Sequence, residues 1–154
     1  MQLTNSFDVP APPAAAWRLL NDVPRVVRCM PGAELTSVVG EHEWKATMDV
    51  KLGPISLQFL AEVTREVMDE EAGRVLLRAK AHEARGRGRA LATIESTLSA
   101  AGSGTTVSIV TDLTLQGAVA QHGRGLVPDV AAQLTRRFAA CVAEQLAGEA
   151  DGGG

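Results

Sequence analysis

The stretch Val127-Pro128-Asp129-Val130-Ala131-Ala132-Gln133-Leu134-Thr135-Arg136-Arg137-Phe138-Ala139-Ala140-Cys141-Val142-Ala143-Glu144-Gln145-Leu146 decides how the rest of the chain must fold. At about 100° per residue, Val127, Val130, Ala131, Leu134, Phe138, Cys141 and Val142 share an arc of about 120°, the width of a core-facing helix surface. Asp129, Gln133, Arg136, Arg137 and Glu144 fall on the other side, and the two arginines read as solvated. Pro128 suits a first helical turn, where its missing N–H has no partner to lose. No other helical segment carries as wide an apolar face. The remainder of the chain must supply a broad apolar surface to receive it.

That surface is written in period two. From Glu43 to Leu52, Trp44, Ala46, Met48, Val50 and Leu52 alternate with Glu43, Lys45, Thr47, Asp49 and Lys51, the pattern of a half-buried antiparallel strand. Gly53-Pro54 turns the chain, and Ile55, Leu57, Phe59, Ala61 and Val63 resume the alternation. Asp69 to Gly73 is the next turn, followed by Val75, Leu77, Ala79 and Ala81 on one face. Gly86-Arg87-Gly88 separates these from Ala90, Ala92, Ile94, Ser96 and Leu98, and Gly102-Ser103-Gly104 leads to Val107, Ile109, Leu113 and Leu115. From Ala33 onward this gives six strands in a meander. Leu3 to Val9 adds a seventh at the start. Pro10, Pro12 and Pro13 end it and open a short helix over Ala14 to Leu20, and Asn21-Asp22-Val23-Pro24 caps a second one, Pro24 to Arg28.

The order β-α-α-β6-α predicts an α+β fold, a curved seven-stranded antiparallel sheet wrapped around the long C-terminal helix, with two short helices after the first strand. One domain spans residues 1–147, and residues 148–154 have the glycine-rich composition of a linker.

Composition excludes several function classes. The net charge of −3 over 154 residues leaves no basic footprint for nucleic acid. No run of 18 apolar residues exists to cross a membrane, and no basic stretch followed by an apolar one opens the chain, so a soluble cytoplasmic domain is expected. Cys29 and Cys141 lie in no metal or redox spacing and read as two reduced thiols, with a disulfide as the alternative. No metal site is expected, because His42, His82 and His122 are scattered and read as surface or capping residues.

No nucleophile, metal-protease or phosphate-loop motif is present. The run Arg85-Gly86-Arg87-Gly88-Arg89 reads as a glycine-bearing hairpin with solvated arginines, or else as an anion contact. Glu83 shares the parity of Val75 to Ala81. It points inward unless the strand has ended there, and an inward carboxylate needs a partner such as Arg65.

Several segments together resemble one family. Phe7-Asp8-Val9-Pro10-Ala11-Pro12, Trp17, Asn21-Asp22 and Cys29-Met30-Pro31-Gly32-Ala33 are similar to the opening of the CoxG family of carbon monoxide dehydrogenase subunits. That family belongs to the START-like (SRPBCC) helix-grip superfamily. Val50-Lys51-Leu52-Gly53-Pro54-Ile55, Gly86 to Ala92, Gly117 through Leu126, and Phe138-Ala139 with Leu146 continue the likeness. The resemblance implies an apolar cavity between sheet and long helix. It also implies a non-enzymatic accessory role beside a molybdenum hydroxylase of the CO dehydrogenase type, aiding membrane recruitment or electron transfer to quinone. No covalent cofactor is implied, but a bound quinone or lipid is. Partners would be a hydrophobic small molecule, the hydroxylase subunits, and the inner face of the cell membrane through a C-terminal extension not found in this sequence.

Inward parity and the helical stripe give the expected cavity wall. Trp17, Trp44, Met48, Val50, Leu57 and Phe59 come from the first half of the chain. Leu77, Ile94, Val130, Leu134 and Phe138 come from the second, with Ile94 preferred to its neighbour Leu91 of opposite parity. Gly117, Gly123, Arg124, Gly125 and Leu126, which lead into the long helix, are the expected cavity entrance. Two other functions are weighed against this one: an assembly module for the same enzyme with a filled core, and a cyclase or hydrolase of the same superfold.

Overall fold

The computed structural model describes residues 1–152. Its elements follow the expected order. β1 (Gln2–Val9) leads to α1 (Pro13–Asn21) and α2 (Val23–Val26), which runs into a 3-10 turn at Val27–Cys29. The meander then passes through β2 (Ala33–Gly40), β3 (Glu43–Leu52), β4 (Ile55–Asp69), β5 (Arg74–Glu83), β6 (Arg89–Ala101) and β7 (Gly104–Gln116). A short helix, α3 (Ala118–Gly123), precedes α4 (Val127–Gly152). α4 thus continues past Leu146 into the segment read as a linker, and the last two residues lie outside the described ones.

All strands pair antiparallel in one sheet ordered β1-β7-β6-β5-β4-β3-β2. β3 spans the residues its alternation predicts and pairs in unbroken register with β4, from Glu43 opposite Thr64 to Leu52 opposite Ile55. β1 closes the far side against β7, so the first and last strands are neighbours. Curvature follows from this arrangement, because a right-twisted sheet of seven strands wraps naturally around a helix laid on its inner face.

The apolar interior divides in two. The larger cluster gathers Val9, Ala16, Trp17, Leu19, Val107, Val142 and Leu146, so α1 and the C-terminal half of α4 close over β1 and β7. The smaller one gathers Leu52, Leu57, Val119 and Val127, where the β3–β4 turn meets α3 and the start of α4. The two halves of α4 therefore have different partners, and the space between them becomes the candidate site.

The sequence reading of the cysteines is corrected here. Cys29 and Cys141 form a disulfide with a Cα–Cα distance of 5.3 Å, joining the turn after α2 to the middle of α4 across 112 residues of sequence. The antiparallel closure of β1 on β7 seats α1 and α2 beside α4, and sequence spacing carries no trace of that contact.

Candidate ligand-binding cleft

An open cleft of about 710 Å³ lies where the N-terminal half of α4 crosses β3 and β4. That volume sits within the ordinary range for small-molecule sites, about 300–1,000 Å³. One wall is apolar, built from Val50, Leu57, Val130, Leu134 and Pro31. Each arrives there by the periodicity of its own element: Val50 and Leu57 face each other across the β3–β4 ladder, and Val130 and Leu134 stand one helical turn apart on α4. Gly32 completes this end. Its φ of +82° and the carbonyl of Asp49, which any Cβ would strike, require glycine.

The opposite wall is polar. Glu83 ends β5 with 2 % of its surface exposed, so the inward parity holds to the strand's last residue. Its partner is Arg87, four residues on in the β5–β6 turn, whose Nε donates to Glu83 Oε1 at 3.0 Å. The backbone N–H groups of Arg85 and Arg87 donate to the same oxygen at 3.0 and 3.3 Å, and that of Gln58 donates to Oε2 at 3.2 Å. Arg87 also donates through Nη2 to the Ser56 carbonyl at 2.7 Å, tying the β5–β6 turn to the start of β4. The hydrogen bond from Arg87, supported by the backbone donors, holds the Glu83 carboxyl down at about 2 from an ordinary 4.5, against the opposing effect of burial.

This network has a pH signature. A carboxyl whose folded value is depressed stabilises the fold above its unfolded value, and the contribution is lost as pH falls toward the folded one. Unfolding free energy should therefore decline as pH drops from about 4.5 toward 2. Glu83→Gln should flatten that decline in urea titrations taken at several pH values. An unchanged slope in the variant would mean that other carboxylates cause it.

Arg65 is not the partner of Glu83. In the β4–β5 ladder Arg65 stands opposite Leu77, whereas Glu83 stands opposite Phe59, so the register places Arg65 at the opposite end of the sheet. There its Nη1 donates to the Asn21 carbonyl at 2.8 Å and its Nε to His42 Nδ1 at 3.1 Å. Its guanidinium lies 5.1 Å from the centre of the Trp44 ring. Arg65 thus pins α1 to the β2–β3 turn, and His42 serves as its acceptor there.

Of the residues expected to line the cavity, Val50, Leu57, Val130 and Leu134 do line this cleft. Trp17 is buried in the larger cluster, which Leu77 and Phe138 flank, while Phe59 flanks the smaller one. Trp44 is covered by Arg65, and Met48 and Ile94 are half-buried on β3 and β6. Leu91 is 43 % exposed on the outer face, as its parity requires. The polar half is only partly legible in the sequence: the inward parity of Glu83 and the anion-contact reading of the Arg85–Arg89 run point to it, whereas Gln58, Gln133, Lys51 and Arg137, which also line the cleft, are not singled out. Arg137 stands about 80° from Val127 on the helical wheel. It sits at the flank of the apolar stripe, which was the available signal.

The segment expected as an entrance is packed at its glycines Gly117 and Gly123 and open at its turn. Gly117 caps α3 with φ +82° and lies so close to Gly88 that an added Cβ would stand 2.9 Å from its Cα. Gly123 is buried against Leu52, whereas Arg124, Gly125 and Leu126 form an exposed turn. Under α3, Leu52, Ile55, Ala118 and Val119 bound a smaller apolar pocket of about 250 Å³. Leu57 and Arg87 line both it and the larger cleft, so those two side chains form the partition between them.

A curved antiparallel sheet gripping a long helix, with an open cleft at the grip, is the helix-grip fold. Solved structures share the whole architecture. A conserved protein from Geobacillus kaustophilus superposes with a TM-score of 0.85 at 18 % identity, covering 97 % of each chain. TTHA0849 from Thermus thermophilus gives 0.68 at 16 %, covering 96 % of this chain and 98 % of that one. The ZhuI aromatase/cyclase from Streptomyces sp. R1128 gives 0.70 at 12 %, covering 97 % and 95 %. No curated protein matches the chain in sequence. The sequence model of CoxG, a carbon monoxide dehydrogenase subunit, matches residues 6–147, and the chain belongs to that family.

Proposed function

We propose that this chain is a non-enzymatic accessory protein that takes a hydrophobic or amphipathic small molecule, a quinone or lipid-like compound, into the cleft beneath α4. The observation that carries this reading is the cleft itself: a space of about 710 Å³ with one aliphatic wall and one fixed polar wall. Apolar sites with a few placed polar groups are the usual form of binding sites for such molecules. Glu83 is held ionised by Arg87 and three backbone donors, so it serves better as a fixed anchor than as an acid or base that must exchange protons. Family membership supports service to a molybdenum hydroxylase of the CO dehydrogenase type, where an apolar carrier would pass quinone between enzyme and membrane. No described helix is long and apolar enough to cross a membrane.

A bound ligand stabilises the folded state by RT ln(1 + [L]/Kd), about 2.7 kcal/mol at 100 times Kd. Short-chain menaquinone analogues should therefore raise the unfolding midpoint of the protein. Val130→Phe fills the cleft from α4 and should abolish that rise while leaving the unliganded midpoint nearly unchanged. If no quinone analogue and no lipid, neutral or acidic, moves the midpoint of the parent protein, the carrier function is wrong.

A further inference from the structure

The rim of the cleft has a charge pattern that restricts what it holds. Its lining contains the cations Lys51, Arg85, Arg87 and Arg137 and the carboxylates Asp49 and Glu83, an excess of two positive charges in a chain of net −3. Both carboxylates are already engaged. Glu83 is saturated by Arg87 and backbone N–H groups, and Asp49 accepts from the Gln58 side chain at 3.2 Å. Lys51, Arg85 and Arg137 make no ion pair among the described residues, although Arg25, Arg74, Arg78 and Arg87 each do. The three come from separate elements, the end of β3, the β5–β6 turn and α4. The fold therefore gathers unpaired cations around one apolar slot, where like charges repel until an anion joins them.

Resting on the binding role above, the geometry points to an acidic amphiphile as the ligand: a single alkyl or prenyl chain against Val50, Leu57, Val130 and Leu134, with a carboxylate or phosphate head among Lys51, Arg85 and Arg137. A guanidinium pairs with either head group through two parallel hydrogen bonds, which an alcohol or a quinone carbonyl cannot match. The chain occupies the aliphatic wall, and the head stays at the rim, where water completes its solvation. Arg87 remains with Glu83 and forms the back of the slot.

The test is competitive displacement of a fluorescent fatty acid from the purified protein by laurate, dodecyl phosphate, dodecanol and inorganic phosphate. Laurate and dodecyl phosphate should displace the probe about tenfold or more better than dodecanol, a preference of the size expected for charge-assisted pairs. Raising salt from about 0.01 M to about 1 M, which shortens the screening length from ~30 Å to ~3 Å, should erode it. The variant with Lys51→Gln, Arg85→Gln and Arg137→Gln should lose the preference yet still bind dodecanol. All three side chains are exposed, so its unfolding midpoint should match the parent's. If dodecanol or a quinone analogue competes as well as laurate, the cleft is a neutral-lipid site, and the acidic head group is overturned while the carrier role stands. If inorganic phosphate alone displaces the probe as well as dodecyl phosphate, the rim binds bare anions and the amphiphile is wrong. Adsorption to vesicles containing phosphatidylglycerol without uptake of either free acid would make the rim a membrane contact and overturn the proposal. Failure of every amphiphile and every quinone analogue to bind removes the carrier role and this inference with it.

Discussion

Opening the Cys29–Cys141 bridge, by reduction or by replacing both residues with alanine, should lower the unfolding free energy by about 4–5 kcal/mol. The size follows from sequence separation. The bridge spans 112 residues, and cross-linking a loop of that length removes a large part of the unfolded chain's freedom. In urea, where small domains lose about 1–3 kcal/mol per molar, the midpoint should fall by roughly 2 M. Gln145, one helical turn beyond Cys141, donates to Cys29 Sγ at 3.1 Å, and its own Oε1 is buried without a partner among the described residues. The consequence reaches the cleft. Cys29 lies two residues before Pro31 and three before Gly32, both of which line the slot, while Cys141 lies one turn beyond Arg137 on the facing helix. Ligand affinity should therefore drop on reduction. A urea midpoint that reductant leaves unmoved would show that the bridge adds nothing to the fold. Bridges of this kind persist in oxidising compartments, whereas a cytosolic location keeps cysteines reduced. Thiol trapping in cells thus decides which state of the protein operates.

Phe138→Ala should cost about 3 kcal/mol, the lower end of the range for phenylalanine in a core because the ring is only partly buried. The ring meets Phe7 edge-to-face, with centroids 5.9 Å apart and planes at 79°. Such pairs add about 0.5–1.5 kcal/mol beyond the area they bury. Phe7 lies on β1, so the contact carries the closing helix onto the strand that completes the sheet. A ring lining an open cavity would cost clearly less, since its removal leaves fewer atoms without neighbours. A loss below about 1 kcal/mol in chemical denaturation would place Phe138 at the ligand instead of in the core. Phe7→Ala, which removes the other ring, should give a comparable loss, and the double variant should lose less than the sum.

The contrast between these residues and the cleft shows how much the sequence discloses. Period two from Glu43 to Leu52 and the apolar stripe of α4 each carry their own element, and turn residues set the meander; local pattern was enough for the fold. Long-range partners were hidden. Cys29 and Cys141 meet through the closure of β1 on β7, and Arg65 is parted from Glu83 by the β4–β5 register, which alternation alone does not reveal. α3 went unread because it is six residues long and lies between glycines. Helical stripe positions told which side chains face inward but not which part of the interior they reach. Phe138 and Leu134 share the stripe, yet one meets Phe7 and the other borders open space. The polar half of the cleft comes from side chains at the edges of apolar stripes or in turns, where exposure on a surface and exposure to a cavity look alike in sequence.

Native mass spectrometry of the protein purified without detergent tests the central claim most directly. The account predicts a 1:1 adduct of an apolar or amphipathic molecule that survives desalting, is released by organic solvent, and is absent from the Val130→Phe variant. Repeated preparations that fly as the bare polypeptide mass, and that stay bare after incubation with quinone analogues and long-chain acids, would contradict it.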